Sequence, residues 1–177
     1  PMQAQNVSQE DARTIASNWI RMVIDSKDTW GRSNEAYVQS VNEFIYKNRM
    51  IGYHCEVFPK GFVIVSLRKE LSPIKAYSSF HNLNNESEQG IALIIKSRML
   101  HIIEYIEARI GLFKNADGAS IAALSRTDYE SLWTFIEQYQ TGMLIEPLDA
   151  TENYQEGDFL LTSFWHQRDP YNNDCPD

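Results

Sequence analysis

The chain has 177 residues, and its 43% hydrophobic and 12% aromatic content is that of a folded protein rather than a disordered one. Twenty-four acidic against 16 basic residues give a formal net charge of −8, so the long-range field repels phosphate backbones and anionic lipid surfaces. We therefore expect neither a nucleic acid nor a membrane as a partner.

The chain opens with a short tail and then a helix signal. Pro1 and Met2 resemble the remnant of a cleaved expression tag, so we expect residues 1–6 to be a tag scar and tail. Ser8 and Asp11 have the spacing of a capping box, and apolar residues recur at helical intervals after them. This pattern predicts a first helix from about Gln9 to Lys27.

Four short β-prone segments follow, separated by turn-like sequences. They read VNEFIYK, MIGYHCEVF, GFVIVSL and PIKAYS. The pattern predicts an antiparallel meander of three or four strands. GFVIVS is the most continuously apolar of them, so we expect it to be a central strand buried on both faces.

Two later helices complete the predicted fold. Isoleucines recur from Ile91 to Ile110, with Gly111 as a terminator, and Asp128 to Tyr139 has an amphipathic pattern that Gly142 stops. The expected fold class is therefore α+β, in which the antiparallel meander packs with an N-terminal helix and two later helices. A linker and an irregular tail come after them.

The sequence offers no metal site or cofactor site, and we expect neither. The four histidines lack ligand spacing, and the two cysteines form no cluster. His54 and Cys55 are neighbours in a predicted strand, so they point to opposite faces and cannot act as base and nucleophile. Pro176 follows Cys175 directly, so we expect no helix within this chain to activate the Cys175 thiol. Whether the two cysteines pair stays open.

Two motifs resemble one known family. The tail LLTSFWHQRDPYNNDCP is similar to the start of the mature domain in streptopain-like cysteine peptidases, a secreted bacterial family that includes interpain. The block GFVIVSLRKELSPIKAYSS resembles the propeptide signature of the same family. His166 stands where the family usually has asparagine, and Lys75 and Ala76 also depart from its pattern. Both motifs occur in the expected order, and the resemblance covers essentially the whole chain.

The resemblance implies a division of the chain and a set of site residues. Residues 7–140 would be the inhibitory propeptide, 141–158 a linker with the maturation cleavage, and 159–177 the start of the catalytic domain. Gln167 matches the glutamine whose side-chain amide helps to form the oxyanion hole. Active-site wall positions match Trp165, Tyr171 and Asn172. The family's catalytic cysteine and histidine have no counterpart here, so we expect this chain to be inactive alone even if its parent is a cysteine endopeptidase.

The implied partner is the cysteine peptidase catalytic domain, either in cis or as a cleaved partner chain. The propeptide would cover its cleft, inhibit it and assist its folding, in a secreted or periplasmic protein whose signal peptide has been removed. We expect the inhibitory loop just after the signature strand, because the sequence there is polar and we expect it to be exposed. Its residues are Ser78, Ser79, Phe80, His81 and Asn82.

Two other functions are compatible with the sequence. The first is a free-standing propeptide-like inhibitor that acts in trans on a cysteine peptidase encoded elsewhere, although such an inhibitor has no evident need for the mature-domain motif. The second is an α+β protein-interaction module in which the strand motif is a coincidence.

Overall fold

The computed structural model describes residues 6–110 and 129–143. These residues form an α+β fold, as the sequence predicts. Its elements, in chain order, are α1 (Gln9–Lys27), β1 (Tyr37–Tyr46), β2 (Arg49–Phe58), β3 (Phe62–Ser66), β4 (Ile74–Ser78), α2 (Gly90–Ile110) and α3 (Tyr129–Glu137). Gly111, the expected terminator of the second helix, lies outside the described ranges.

The first helix begins and ends where its sequence predicts. The backbone N–H of Asp11 donates to Ser8 Oγ at 3.1 Å, and the backbone N–H of Ser8 donates to Asp11 Oδ2 at 2.9 Å. Both halves of the capping box are therefore formed, which satisfies two backbone donors at the start of α1. Beyond Lys27 the chain turns at Asp28, whose φ of 64° lies in the left-handed region.

The four strands form one antiparallel sheet in the order β1-β2-β3-β4. All five residues of β3 are buried, which confirms GFVIVS as a central strand. Strand β1 begins at Tyr37, four residues before the predicted segment. The register skips Gln39 as a bulge, and this bulge lets Val38 and Val41 face the same side of the sheet.

The helices cover both faces of the sheet. Helices α1 and α3 pack on one face, together with Trp30 and the inward residues of all four strands. Helix α2 packs on the other face, against a second cluster that includes Phe44, Ile51, Phe62 and Ile64. None of the helices within the described ranges is long and apolar enough to cross a membrane.

The third helix ends earlier than the sequence predicts, and a residue of α1 caps its last carbonyls. The prediction placed the end near Tyr139, with Gly142 as the stop signal, but the helix ends at Glu137. The side-chain amide of Asn18 donates to the carbonyl oxygens of Ile136 and Glu137, at 2.8 and 3.0 Å. At a helix end these carbonyls have no partner four residues on within the helix, although the Ile136 carbonyl oxygen also accepts from the backbone N–H of Tyr139 at 3.3 Å. A local turn and a tertiary contact therefore cap α3 together.

Candidate functional site

All four strands have one end on the same side of the molecule, beside the predicted inhibitory loop. In the sheet register Tyr37 lies opposite Phe58, and Phe62 lies opposite Ser78. Three connecting segments meet at this end. We call them together the loop surface, and they are residues 30–33, 58–60 and 78–82.

The loop 78–82 holds its shape through its first side chain. Ser78 Oγ accepts hydrogen bonds from the backbone N–H groups of Phe80 and His81, at 3.2 and 3.0 Å. The turn leaves Phe80 54% exposed, and His81 and Asn82 are exposed beside it. The loop therefore projects an aromatic side chain from a local turn that is already hydrogen-bonded.

Two glycines pack closely against the start of this loop, Gly31 in the first segment and Gly61 directly after the second. A β-carbon at Gly31 would overlap the carbonyl oxygen of Ser79, and one at Gly61 would overlap the carbonyl oxygen of Ser78. Both glycines also have positive φ, 63° and 126°, which side-chain-bearing residues rarely adopt. Only glycine allows these backbones to approach so closely, and the loop is thereby fixed on two sides.

Hydrogen bonds join the three segments. The indole N–H of Trp30 donates to the carbonyl oxygen of Lys60 at 2.9 Å, and the backbone N–H of Gly61 donates to Asn82 Oδ1 at 2.8 Å. The turn at 30–33 is closed by two backbone hydrogen bonds between Trp30 and Ser33. The loop surface is therefore a cross-linked unit, and its parts are unable to move independently without breaking these bonds.

A cleft of about 450 Å³ runs across the loop surface. Its walls include Trp30, Arg32, Lys60, Phe80 and His81. Arg32 and Lys60 are exposed cations, so this cleft is basic although the whole chain carries a net charge of −8. Such a local reversal of charge suits an acidic or hydrogen-bond-accepting partner surface.

Exposed aromatic rings extend the surface along the strand ends. Tyr37 and Phe58 stack on each other with ring centroids 5.0 Å apart, and both are exposed. Tyr77 is also exposed at its edge, and its ring lies 5.9 Å from that of Trp30. Together with Phe80 these rings give this end of the sheet exposed aromatic groups, some of which carry a hydroxyl. Aromatic residues of this kind are enriched at protein interfaces.

The described part of the chain contains no catalytic cysteine and histidine pair. Cys55 and His54 face opposite sides of the sheet, as the sequence predicts, since Cys55 packs against α1 and His54 lies between Phe44 and Phe62. Burial raises the pKa of the Cys55 thiol to about 12. A thiol with such a pKa is not a nucleophile at neutral pH. Within residues 6–110 and 129–143, no group of three His, Cys, Asp or Glu residues could hold a metal ion.

The predicted site residues divide into two sets. Ser78, Ser79, Phe80, His81 and Asn82 lie in the described structure, together on the loop surface. The oxyanion-hole and wall residues, Gln167, Trp165, Tyr171 and Asn172, lie outside the described residues.

Residues 30–33 and 58–60 are functional candidates that the sequence did not single out. In the sequence TWGRSN ends a helix and Pro59-Lys60 is a turn. The available signal was the two glycines, since a glycine next to an aromatic or proline turn is a common mark of close backbone approach. Which other loop each glycine would approach was not readable without the fold.

Comparison with known proteins gives one family. A family model described as Spi protease inhibitor matches residues 4–99, which is more than half of the chain. This match spans α1, the whole sheet, the loop surface and the first half of α2. No curated protein and no solved structure gives a significant match.

Proposed function

Because the chain belongs to the Spi protease inhibitor family, we propose that it inhibits a streptopain-like cysteine peptidase and that the loop surface contacts this enzyme. The family match gives the chain an inhibitor domain of the propeptide type, and such a domain implies a protease partner. The cysteine class of the partner is supported by the resemblance of the tail at 159–177 to a mature cysteine peptidase.

The observation that carries this proposal is the rigid projection of Phe80. Gly31 and Gly61 pack closely against the backbone at the start of its loop, and the hydrogen bonds that Ser78 Oγ accepts stabilise the turn. A loop that is already ordered loses little conformational entropy on binding, and an exposed aromatic ring is a frequent energetic anchor of interfaces. Phe80 is therefore the side chain that we place in an apolar depression beside the peptidase's catalytic centre.

The same hydrogen bonds explain how the loop could block a peptidase without being cut. Peptidases and other peptide receptors that pair with a backbone need it extended, with free N–H and C=O groups. In this loop the N–H groups of Phe80 and His81 are already engaged by Ser78 Oγ. The loop covers the cleft as a turn and offers no extended backbone to the nucleophile.

The proposal is tested by inhibition of a peptidase of this class. The full chain should inhibit streptopain in a fluorogenic peptide assay, and Phe80→Ala should raise the inhibition constant about 10- to 100-fold, the loss typical of an interface anchor. Ile94→Ala is the matched control, since Ile94 is a 48% exposed apolar residue that belongs to α2 and not to the loop surface. It should leave the inhibition constant unchanged.

Two outcomes would overturn the proposal. One is a folded wild-type chain that leaves streptopain active at micromolar concentrations. The other is an equal effect of Phe80→Ala and Ile94→Ala, which would place the contact surface elsewhere. Papain serves as a specificity control for the enzyme class.

Of the cis and trans arrangements, we favour inhibition in cis, within a zymogen of a secreted or periplasmic protein. The resemblance of residues 159–177 to the start of a mature domain supports it, because a trans inhibitor does not need that segment. The gene distinguishes the two arrangements. A reading frame that continues past Asp177 into a Gly-Cys motif and a distant histidine supports cis inhibition, whereas a stop codon supports a trans inhibitor.

We place the maturation cleavage in residues 141–158, where the sequence is acidic and lacks the periodicity of a buried element. Limited digestion with a nonspecific protease should cut the full chain there first. A first cut inside residues 6–110 would contradict this placement.

A further inference from the structure

His54 occupies an unusual position for a histidine. Its side chain is fully buried on the α2 face of the sheet, at 0% exposure, and its ring lies between those of Phe44 and Phe62, with centroids 6.2 and 6.1 Å away. Neither ring nitrogen has a hydrogen-bond partner among the described residues. Buried polar groups are nearly always hydrogen-bonded, so this one calls for a reason.

The ring lines a cavity of about 150 Å³ that extends to the base of the inhibitory loop. Gly61, Asn82 and Leu83 form part of the same cavity wall. Gly61 and Asn82 are joined there by the 2.8 Å hydrogen bond that ties the far end of the loop to the β2–β3 turn. His54 therefore lies directly behind a contact that holds the loop surface together.

The charges around His54 offer little compensation for a positive ring. On its own strand Glu56 is exposed, and its carboxylate already accepts a hydrogen bond from Ser40 Oγ at 2.7 Å. From α2 the buried Lys96 brings a second cation, with its ammonium group 5.3 Å from the Phe44 ring centroid.

The other neighbours of the ring that the structure describes are neutral. Strands β1 and β3 place Asn42 and Ile64 opposite His54 in the register, besides the two phenylalanines, and the loop contributes Asn82 and Leu83. Burial is the main cause that lowers the pKa of the imidazole, Lys96 acts in the same direction, and Glu56 opposes them.

We propose that His54 is a pH-sensitive support of the inhibitory loop, neutral in the tight inhibitor and protonated when acidification loosens the loop. An imidazolium needs acceptors for two N–H groups, and water entering the cavity is the available source. The sheet around His54 is fixed by ladders on both sides, so the wall that yields is the Gly61–Asn82 contact. The link to regulation rests on the proposed function, whereas the structural response to pH does not.

The direction of the effect follows from proton linkage. An unfolded chain protonates this histidine near the ordinary pKa of about 6.5, and the folded chain does so only at lower pH. Between these two values the unfolded state binds more protons. The contribution of neutral His54 to the unfolding free energy is therefore fully present above about pH 6.5. It is lost as the pH falls toward the pKa of His54 in the folded chain. For one proton, the unfolding constant rises by at most about tenfold per pH unit.

The test compares urea unfolding of the full 177-residue chain and its His54→Gln variant at pH 7.5, 6.5 and 5.5. The wild type should lose stability as the pH falls, and the variant should lose less. The two unfolding constants should diverge by up to about tenfold per pH unit. His81→Gln and His101→Gln are matched controls, because both histidines are exposed. Their pH dependence should follow that of the wild type.

Hydrogen exchange locates the response. After correction for intrinsic rates, the Gly61 amide should lose protection at pH 5.5 before the amide of Ile64 in the centre of β3 does. Simultaneous loss at both amides would mean global unfolding and would contradict the local mechanism.

Parallel pH profiles of wild type and His54→Gln would overturn the inference. If the variant does not fold, the wild-type imidazole is titrated by NMR instead, and a His54 pKa at or above about 6.5 overturns it. These measurements use no peptidase, so they succeed or fail independently of the inhibition assay.

Discussion

The backbone of Gly31 lies against the carbonyl of Ser79 so closely that no β-carbon fits between them. The two residues belong to different connections, one after α1 and the other after β4. This contact joins the α1–β1 connection to the proposed inhibitory loop. A change at Gly31 is therefore a means to disturb the loop without touching any of its own side chains.

We expect Gly31→Ala to cost about 3 kcal/mol of unfolding free energy, from the strain of φ at 63° together with the overlap at Ser79. Gly90→Ala is the control, since Gly90 has a similar φ of 57° but no atom of residues 6–110 or 129–143 within 4 Å of the added carbon. It should cost only about 1 kcal/mol. Urea denaturation measures both, and equal costs would show that the close approach is unimportant. Gly31→Ala should also weaken inhibition of the peptidase, whereas Gly90→Ala should not.

Charge reversal in the cleft tests the electrostatics of the loop surface. The double variant Arg32→Glu, Lys60→Glu should slow association with the peptidase about tenfold at low salt, because the basic cleft attracts the partner. The difference should shrink in 0.5 M salt, where the Debye length is only about 4 Å. Lys47→Glu is the control at the opposite end of the sheet, in the β1–β2 turn. If stopped-flow measurements show that Lys47→Glu slows association as strongly as the double variant does, the cleft is not part of the interface.

Helix α3 lies beyond residues 4–99 that match the family, yet its packing makes it part of the same fold. Trp133 is 1% exposed, and its indole N–H donates to the carbonyl oxygen of Leu71 at 2.8 Å. We expect Trp133→Ala to lower the unfolding free energy by about 3–5 kcal/mol, and Trp133→Phe by less, since the phenyl ring keeps part of the packing. Phe80→Ala, at an exposed position, should change it by less than about 0.5 kcal/mol. A mild effect of Trp133→Ala in thermal or urea unfolding would make α3 dispensable.

The capping box of α1 should make stability depend on acid. The backbone hydrogen bond from Ser8 is the main cause that lowers the pKa of the Asp11 carboxyl. A lowered folded-state pKa means that this stabilisation is complete above the ordinary value near 3.9 and is lost as the pH falls through the folded value.

Asp11→Asn should therefore be less stable than wild type at pH 7, and the gap should close by about pH 2 in urea denaturation. Ser8→Ala, which removes the cap, should cost about 1 kcal/mol at pH 7. If the difference in unfolding free energy between wild type and Asp11→Asn stays constant from pH 7 to pH 2, the carboxylate charge plays no part.

The chemistry of the loop surface was only partly readable from the sequence. A polar stretch after a strand pointed to Ser78–Asn82, because exposed polar loops follow from composition. Trp30 and Lys60 gave no such signal, since each of them fits an ordinary turn, and Gly31 indicated a close backbone approach without showing which loop it approaches. Their role depends on which segments meet, and contacts between residues far apart in the chain are decided by packing rather than by local pattern.

Local patterns in the sequence by themselves determined the bounds of α1, an antiparallel meander of three or four strands and the buried β3, because capping, periodicity and apolar runs act within a few residues. Only the tertiary structure decided where α3 ends, since Asn18 supplies its cap from another helix. It also decided that His54 lies behind the loop with no hydrogen-bond partner in the described part of the chain, and that two glycines pack closely against Ser78 and Ser79. These features arise when the sheet and helices pack together, because burial and close backbone approach exist only between elements that the fold has brought into contact.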